Sequence, residues 1–323
     1  MRAIGWWITV GKGLGKGWMD HKGLKRGIRV LNYHGVVEHK ADPVLERNFL
    51  THAQFAEHVK FLKRCKVLSI VELVEENKHF EWDARPAVVV TFDDGHANTL
   101  RAAELLERCH LPWTLFVSTG TLGRQQTLWT VELGLLLLHG AASQVEVAGI
   151  RWSLHTREER ERCFHSVRRW AKTLPAPERK QHLEELRRQF PEGETQRLLS
   201  QFPSLQMLTW DEVAQLAAAG VTIGSHGVEH EIHHPAQPES VRRWEIAASK
   251  QEIECRIDKP CIAFAYPNGN FLPESEKELR ESGYQLGFTT EPGTVSSGIS
   301  RYHLPRIQPR HSLQSFVEDL FFG

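Results

Sequence analysis

The stretch Val88–Phe92 (VVVTF) runs directly into Asp93-Asp94-Gly95, and no other segment restricts the fold of this chain as tightly. β-Branched residues favour extended backbone, and neighbouring side chains of a strand point to opposite faces. A strand that is apolar on both faces needs cover on both, as in the centre of a mostly parallel sheet. The abrupt change to Asp-Asp-Gly marks where that strand stops at a turn.

Short apolar runs and amphipathic stretches alternate around it. Ile28–Tyr33, Trp113–Val117, Val221–Ser225 (VTIGS), Ile262–Tyr266 (IAFAY) and Leu286–Thr289 read as further strands. Helices are predicted between them, with Phe55, Val59 and Leu62 at helical spacing and others over Asn98–Cys109, Glu239–Arg256 and Glu274–Ser282. Thr209-Trp210-Asp211-Glu212 has the form of a capping box opening a helix that stops at Gly220. From about Gly123 to Gln206 the character changes to charged segments with apolar residues three or four apart, which read as a helical insertion. Repeated strand–helix units predict an α/β fold whose parallel sheet is open or closed into a barrel. Chemistry in such folds gathers at the strand C-termini, where this chain places His34, Asp93, Asp94, His226 and Asn268.

Composition excludes several classes. Forty basic residues balance forty acidic ones, which argues against nucleic-acid binding driven by global charge. The five cysteines are an odd number without a C-x-x-C pair, so neither a disulfide framework nor a cysteine zinc site is expected. Reduced, mostly buried thiols are the expectation, and they suit the cytoplasm. Residues 1–27 form a basic arm: residues 1–30 hold seven Lys/Arg and one acid, with Trp6, Trp7 and Trp18 interleaved. The arm reads as solvated chain, with peripheral contact to an anionic membrane face as the alternative. Its apolar run Ala3–Val10 resembles a poor signal sequence, and neither that run nor the LGLLLLHGAA stretch from Leu133 is long enough to span a bilayer. GKGLGKG matches no phosphate-loop template.

The chemistry-bearing residues form a short set. At a strand end followed by Gly95 the chain can twist, so that Asp93 and Asp94 reach one pocket, one to ligate a cation and one to act as a base. Four residues apart on a helical turn, His226 and His230 can bind one ion. His230 and His234 share that spacing, but His226 lies at a strand end, and His233 and His234 read as surface residues near Pro235. Two His and one Asp leave a coordination position open for water.

TFDDG at 91–95 with SHGVEH at 225–230 resembles the polysaccharide deacetylases of the NodB-homology class, carbohydrate esterase family 4. LNYHGV at 31–36, LPWTLFVSTG at 111–120, LTWDEV at 208–213, FAYPNG at 264–269 and LPRI at 304–307 extend the likeness from about residue 28 to the end of the chain. The resemblance implies a distorted (β/α) barrel and hydrolysis of an acetamido group on an amino sugar, usually N-acetylglucosamine in a polymer. It implies a divalent metal, zinc foremost, on Asp94, His226 and His230, with Asp93 as general base. His34 resembles the permuted catalytic acid of exopolysaccharide deacetylases. A backbone N–H near Asn268 would serve the oxyanion. Many relatives carry an Arg in the third motif to hold the base; here Ala265 stands there, and Arg306 is the candidate replacement. Trp129 and Trp210 are candidate sugar platforms, with core packing favoured for Trp210. Alternative readings are a deacylase or deformylase of a lipid-linked or small glycan, and a non-catalytic glycan-binding scaffold. Relatives of this type are often exported, whereas the thiols and the weak leader point to the cytoplasm, at the membrane face if the arm binds there.

Overall fold

The computed structural model describes residues 27–78, 87–123, 125–296 and 298–322. All but the last residue of the basic arm, including its three tryptophans, lies outside the described residues. The strands are β1 (Ile28–Tyr33), β2 (Val36–Val37), β3 (Leu50–Thr51), β4 (Lys66–Leu68), β5 (Ala87–Phe92), β6 (Thr114–Val117), β7 (Gln144–Val147), β8 (Ile150–Ser153), β9 (Thr222–Ser225), β10 (Ala263–Ala265) and β11 (Leu286–Phe288).

The apolar run that ends at Phe92 lies where its composition demands, in the middle of the main sheet. That sheet has the order β1-β5-β6-β9-β10-β11, and its pairings are parallel. β5 pairs along its full length with β1; on its other side β4 covers its start and β6 its end. The sheet curls, and an irregular segment spans from its last strand to its first. Leu304 bridges to Phe288 of β11 and Ile307 to Leu31 of β1, both in parallel sense. The Ile307 amide donates to the Val30 carbonyl and accepts through its own carbonyl from Asn32, each at 2.8 Å. The result is a distorted barrel whose final stave is the LPRI motif.

Alternation along the strands separates two apolar layers. Val30, Val89, Phe116, Ala263, Ala265 and Phe288 face inward. Leu31, Val88, Val90, Phe92, Leu115 and Phe264 face the surrounding helices. Those helices are His52–Leu62, Thr99–Arg108, Trp210–Ala218, Glu239–Ile257 and Pro273–Glu281, near the spans expected from periodicity. The Thr209 capping box is present: its hydroxyl accepts from the Glu212 amide, and the Glu212 carboxylate accepts from the Thr209 amide. The helix ends at Ala218, and Gly220 takes a positive φ of 97°.

Between β6 and β9 the helices Trp129–His139, Arg157–Ala171, Ala176–Arg187 and Glu194–Gln201 pack around an apolar cluster of their own. The leucine-rich Trp129–His139 helix is buried nearly all round, which explains its composition without a membrane. Among the described residues no helix is long and apolar enough to cross a bilayer. This region also contains a hairpin, β7–β8, that helical periodicity did not suggest. Its two turn residues, Ala148 and Gly149, both have positive φ (51° and 76°), which matches the twist of the paired strands.

The five cysteines are unpaired. The expectation that most are buried needs correction, because Cys65 and Cys109 are half-buried and Cys255 is exposed.

Gly224 of β9 sits under the Phe116 ring, and a Cβ there would lie 2.4 Å from the ring. Gly224→Ala is therefore expected to lower stability by about 1–3 kcal/mol through overpacking. Urea unfolding of the two proteins measures the difference, and equal midpoints would contradict it.

Candidate active site

β5 delivers both aspartates, and the backbone after it separates their roles. Asp93 continues the strand alternation and points into the barrel, where it is 2% exposed. Asp94 has φ 78° and Gly95 φ 89°. A non-glycine residue in the left-handed region is strained. Here that conformation swings the second carboxylate to the same end of the barrel as the first.

Asp93 is held by Arg306. The guanidinium donates Nη1–H to Oδ1 at 2.7 Å and Nη2–H to Oδ2 at 2.6 Å, and its Nε–H goes to the Thr289 carbonyl at 2.8 Å. The Arg306 carbon lies over Phe116 and Phe288, 5.7 and 6.0 Å from the ring centroids. Asn32, with its amide nitrogen turned toward the carboxylate, adds a bond to Oδ2 at 3.2 Å. Burial pushes the Asp93 carboxyl up, but Arg306, His226 and His34 together hold it below its ordinary value. Ala265, at the position where relatives place their arginine, packs inside the barrel and gives its carbonyl to the His226 Nδ1–H at 2.7 Å.

That bond fixes the His226 tautomer and turns Nε2 toward Asp94 Oδ1, 3.4 Å away. His230 Nε2 is 3.5 Å from the same oxygen. The ligand atoms of Asp94, His226 and His230 all lie within 4.8 Å of one another, and the three residues are buried. Burial, reinforced by His226, pushes His230 down to about 3, so its imidazole is neutral and has a lone pair to give. Two carboxylates stand here against one directly bonded cation, Arg306. The donor set and the charge both fit a divalent metal.

His226 and His230 do not lie on a helical turn. Residues 226–230 are irregular, with positive φ at Gly227 (81°) and His230 (59°). The loop owes its shape to Glu245 of the Glu239–Ile257 helix, whose buried carboxylate accepts from the amides of Val228 (2.9 Å), Glu229 (3.0 Å) and Glu231 (3.3 Å). Burial pushes Glu245 up to about 8 against the pull of these amides. The insertion holds the other side. The Trp129 indole N–H donates to the His230 carbonyl at 3.3 Å, and the Arg179 guanidinium covers the Trp129 ring while pairing with Glu231.

Trp129 is thus 8% exposed and braces the loop that carries His226 and His230. Trp210 packs on the helix layer with Arg256 over its ring, 5.3 Å from the centroid. His233 is also corrected: it is 1% exposed, against Phe264, Tyr266 and Ser275, and pushed down to about 3 by burial. His234 is half-buried against the Leu174 carbonyl.

His34 follows β1 at the same barrel end, within electrostatic reach of Asp93, Asp94 and His226. Its Nδ1 is buried without a hydrogen-bond partner. Burial holds its pKa below the ordinary value, opposed by the two aspartates. Asn268, after β10, has φ 59° and an exposed side chain whose Oδ1 accepts from Lys172 of the insertion. Two further residues had no mark in the sequence reading. His96 places Nε2 3.6 Å from Asp94 Oδ2, and Glu245 acts from a helix that carried no site residue. Its position two residues after Asp94 could have pointed to His96; nothing local points to Glu245.

The polysaccharide deacetylase family model matches residues 83–287. The chain belongs to the polysaccharide deacetylase family. YxkH of Bacillus subtilis (strain 168), named for the same family, is 31% identical over 111 residues, which are 34% of this chain and 39% of YxkH. The match therefore spans well under half of that curated relative. Among solved structures, the Streptococcus pyogenes deacetylase PplD in complex with acetate superposes with a TM-score of 0.59 at 18% identity, covering 94% of this chain and all of PplD. IcaB from Ammonifex degensii gives 0.59 at 17% identity over 94% of this chain and all of IcaB. These likenesses show a shared fold, that of a polysaccharide deacetylase barrel.

Glu245→Ala removes both oxygens that accept from the loop amides. Zinc affinity, measured by competition with a chromophoric chelator, is expected to fall about 10- to 100-fold although every ligand remains. An unchanged affinity would show that the loop holds its shape without Glu245.

Proposed function

We propose that this polysaccharide deacetylase removes N-acetyl groups from amino sugars, N-acetylglucosamine in type, of a polysaccharide made for the cell envelope or as an exopolysaccharide. The reading rests on one juxtaposition: Asp94, His226 and His230 converge on one point, and a separate carboxylate, locked by Arg306, stands beside them. The His226 Nε2 to Asp93 Oδ2 distance of 4.0 Å supports a role for Asp93 as base beside the metal rather than as a ligand.

Asp94, His226 and His230 would hold the metal, zinc by the nature of the donors. When bound, it supplies Lewis acidity, polarising the acetyl carbonyl and lowering the pKa of water. Arg306 and Asn32 occupy part of the Asp93 carboxylate, and the remaining lone pairs can take a proton from the attacking water. Because Arg306 and its neighbours hold Asp93 below the ordinary carboxylate range, it is ionised and ready at neutral pH. Water oxygen adds to the acetyl carbon, with a backbone N–H near Asn268 as the candidate donor to the oxyanion. His34 is mostly neutral at rest, so it acts as acid after gaining a proton during the cycle. It then protonates the sugar nitrogen as the C–N bond breaks, leaving acetate and a free amine. A scaffold protein would need neither the base, nor its arginine, nor the acid.

Asp93→Asn and His34→Ala are expected to abolish acetate release from N-acetylglucosamine oligomers, with zinc still bound stoichiometrically. Chelation of the wild type should do the same, reversibly. Near-normal turnover in either variant, or activity indifferent to chelator, would overturn the proposal. Arg306→Met removes the largest of the charges that oppose burial at Asp93 and raises its pKa. The acid limb of the pH profile of kcat/KM should then move to higher pH, with a greater loss at pH 6 than at pH 8. An unchanged limb would remove Arg306 from the mechanism.

A further inference from the structure

Metal chemistry on a neutral acetamide does not call for a group of cations at the mouth of the site, yet this barrel has one. Lys172 follows the Arg157–Ala171 helix of the insertion and reaches across to Asn268, on the lip beside the His226 loop. Arg168 lies four residues earlier, hence on the same face of that helix, over the Phe164 ring at 5.0 Å. Arg47 comes from the loop before β3 and is exposed. Burial, then repulsion from Arg168 and Arg47, pushes the Lys172 ammonium down to about 8. Arg47 also repels Arg168. The acid that draws on Lys172 is Asp94, in the site itself.

Elsewhere on the insertion, Arg157, Arg179, Arg187 and Arg197 each meet a carboxylate within 4.0 Å, Arg160 is bonded to backbone carbonyls, and Arg162 and Arg169 are exposed. Among the described residues Arg47, Arg168 and Lys172 have none. Holding three like charges together without a counter-charge costs free energy, and an anionic ligand relieves that cost. The face they form leads to the metal ligands through the Lys172–Asn268 contact.

We propose that Arg47, Arg168 and Lys172 form a subsite for an anionic group, a phosphate ester or a uronate carboxylate, borne by the glycan next to the N-acetylated sugar. The inference builds on the N-deacetylase reading and specifies its substrate as an acidic glycan. Arg168 and Arg47 provide planar donor forks suited to either anion, and Lys172 provides a point charge nearest the metal site.

The test uses the full chain loaded with zinc and three probes: a neutral N-acetylglucosamine tetramer, the same tetramer with one phosphate monoester, and one with a terminal uronate. Calorimetric binding is followed in parallel with acetate release. At least one acidic probe is expected to bind about tenfold more tightly than the neutral one at low ionic strength, and the comparison of the two identifies the anion. That advantage should vanish in the double variant Arg47→Gln/Arg168→Gln and shrink in 0.5 M salt, with neutral-probe binding and turnover unchanged. Arg47→Gln alone, on an exposed loop, should lose about threefold and guards against misfolding of the double variant. Equal affinities for all probes, no binding of any, or a variant that weakens all three alike would overturn the subsite. Selective binding of an acidic probe with no acetate released from any would keep the subsite and refute the deacetylase reading instead.

Discussion

The buried pair between Arg306 and Asp93 is the interaction on which the rest of this barrel depends. Both side chains are essentially without solvent, at 0 and 2% exposure. Bringing two charges out of water is costly and is offset only by good geometry and additional bonds. Here two parallel hydrogen bonds, the Thr289 carbonyl and two flanking phenyl rings provide that compensation. The pair joins the end of the central strand to the closing stave. Barrel closure and the ionisation of Asp93 are thereby one event, and loss of either partner would strand a buried charge, at a cost of about 3–5 kcal/mol.

The loop that carries His226 and His230 shows the complementary strategy. Those two residues lie on irregular backbone, which by itself would place side chains loosely. Glu245 gathers the loop amides from the barrel side, and Trp129 and Arg179 hold its carbonyl and side chain from the insertion. The insertion is thus part of the ligand support, and through Lys172 it also forms one wall of the entrance. Two roles that usually fall to separate loops converge on one added subdomain with its own apolar cluster.

Local pattern made much of this legible. The β-branched run located the central strand, the Thr209 box marked a helix start, and strand-end placement picked out Asp93, Asp94 and His226 before any coordinates. What local pattern could not carry was conformation set at long range. The helical turn expected for His226 and His230 gave way to a loop shaped by a carboxylate fifteen residues or more away, and the spacing of four looks the same in both. Trp129 looked available because helical periodicity does not report what packs on a ring; Arg179, fifty residues on, covers it. His233 read as surface from its neighbour Pro235, whereas the Pro273–Glu281 helix and two aromatic rings bury it. Arg306 was accessible only as a missing cation in search of a source, since 213 residues separate it from Asp93.

The closing stave has a consequence for how the chain reaches this state. β1 emerges well over 200 residues before the segment that completes it, because the backbone groups on its outer edge are met by Val295 and Ile307. Until those residues leave the ribosome, β1 presents an open edge, the kind of surface that recruits other strands. Asp93 meanwhile lies in the growing barrel without its guanidinium. A nascent chain of this design therefore acquires its protected edge and its charge balance together, once residues 295–307 have emerged, and a ribosome stalled before Arg306 would hold a protein that is both adhesive and inert.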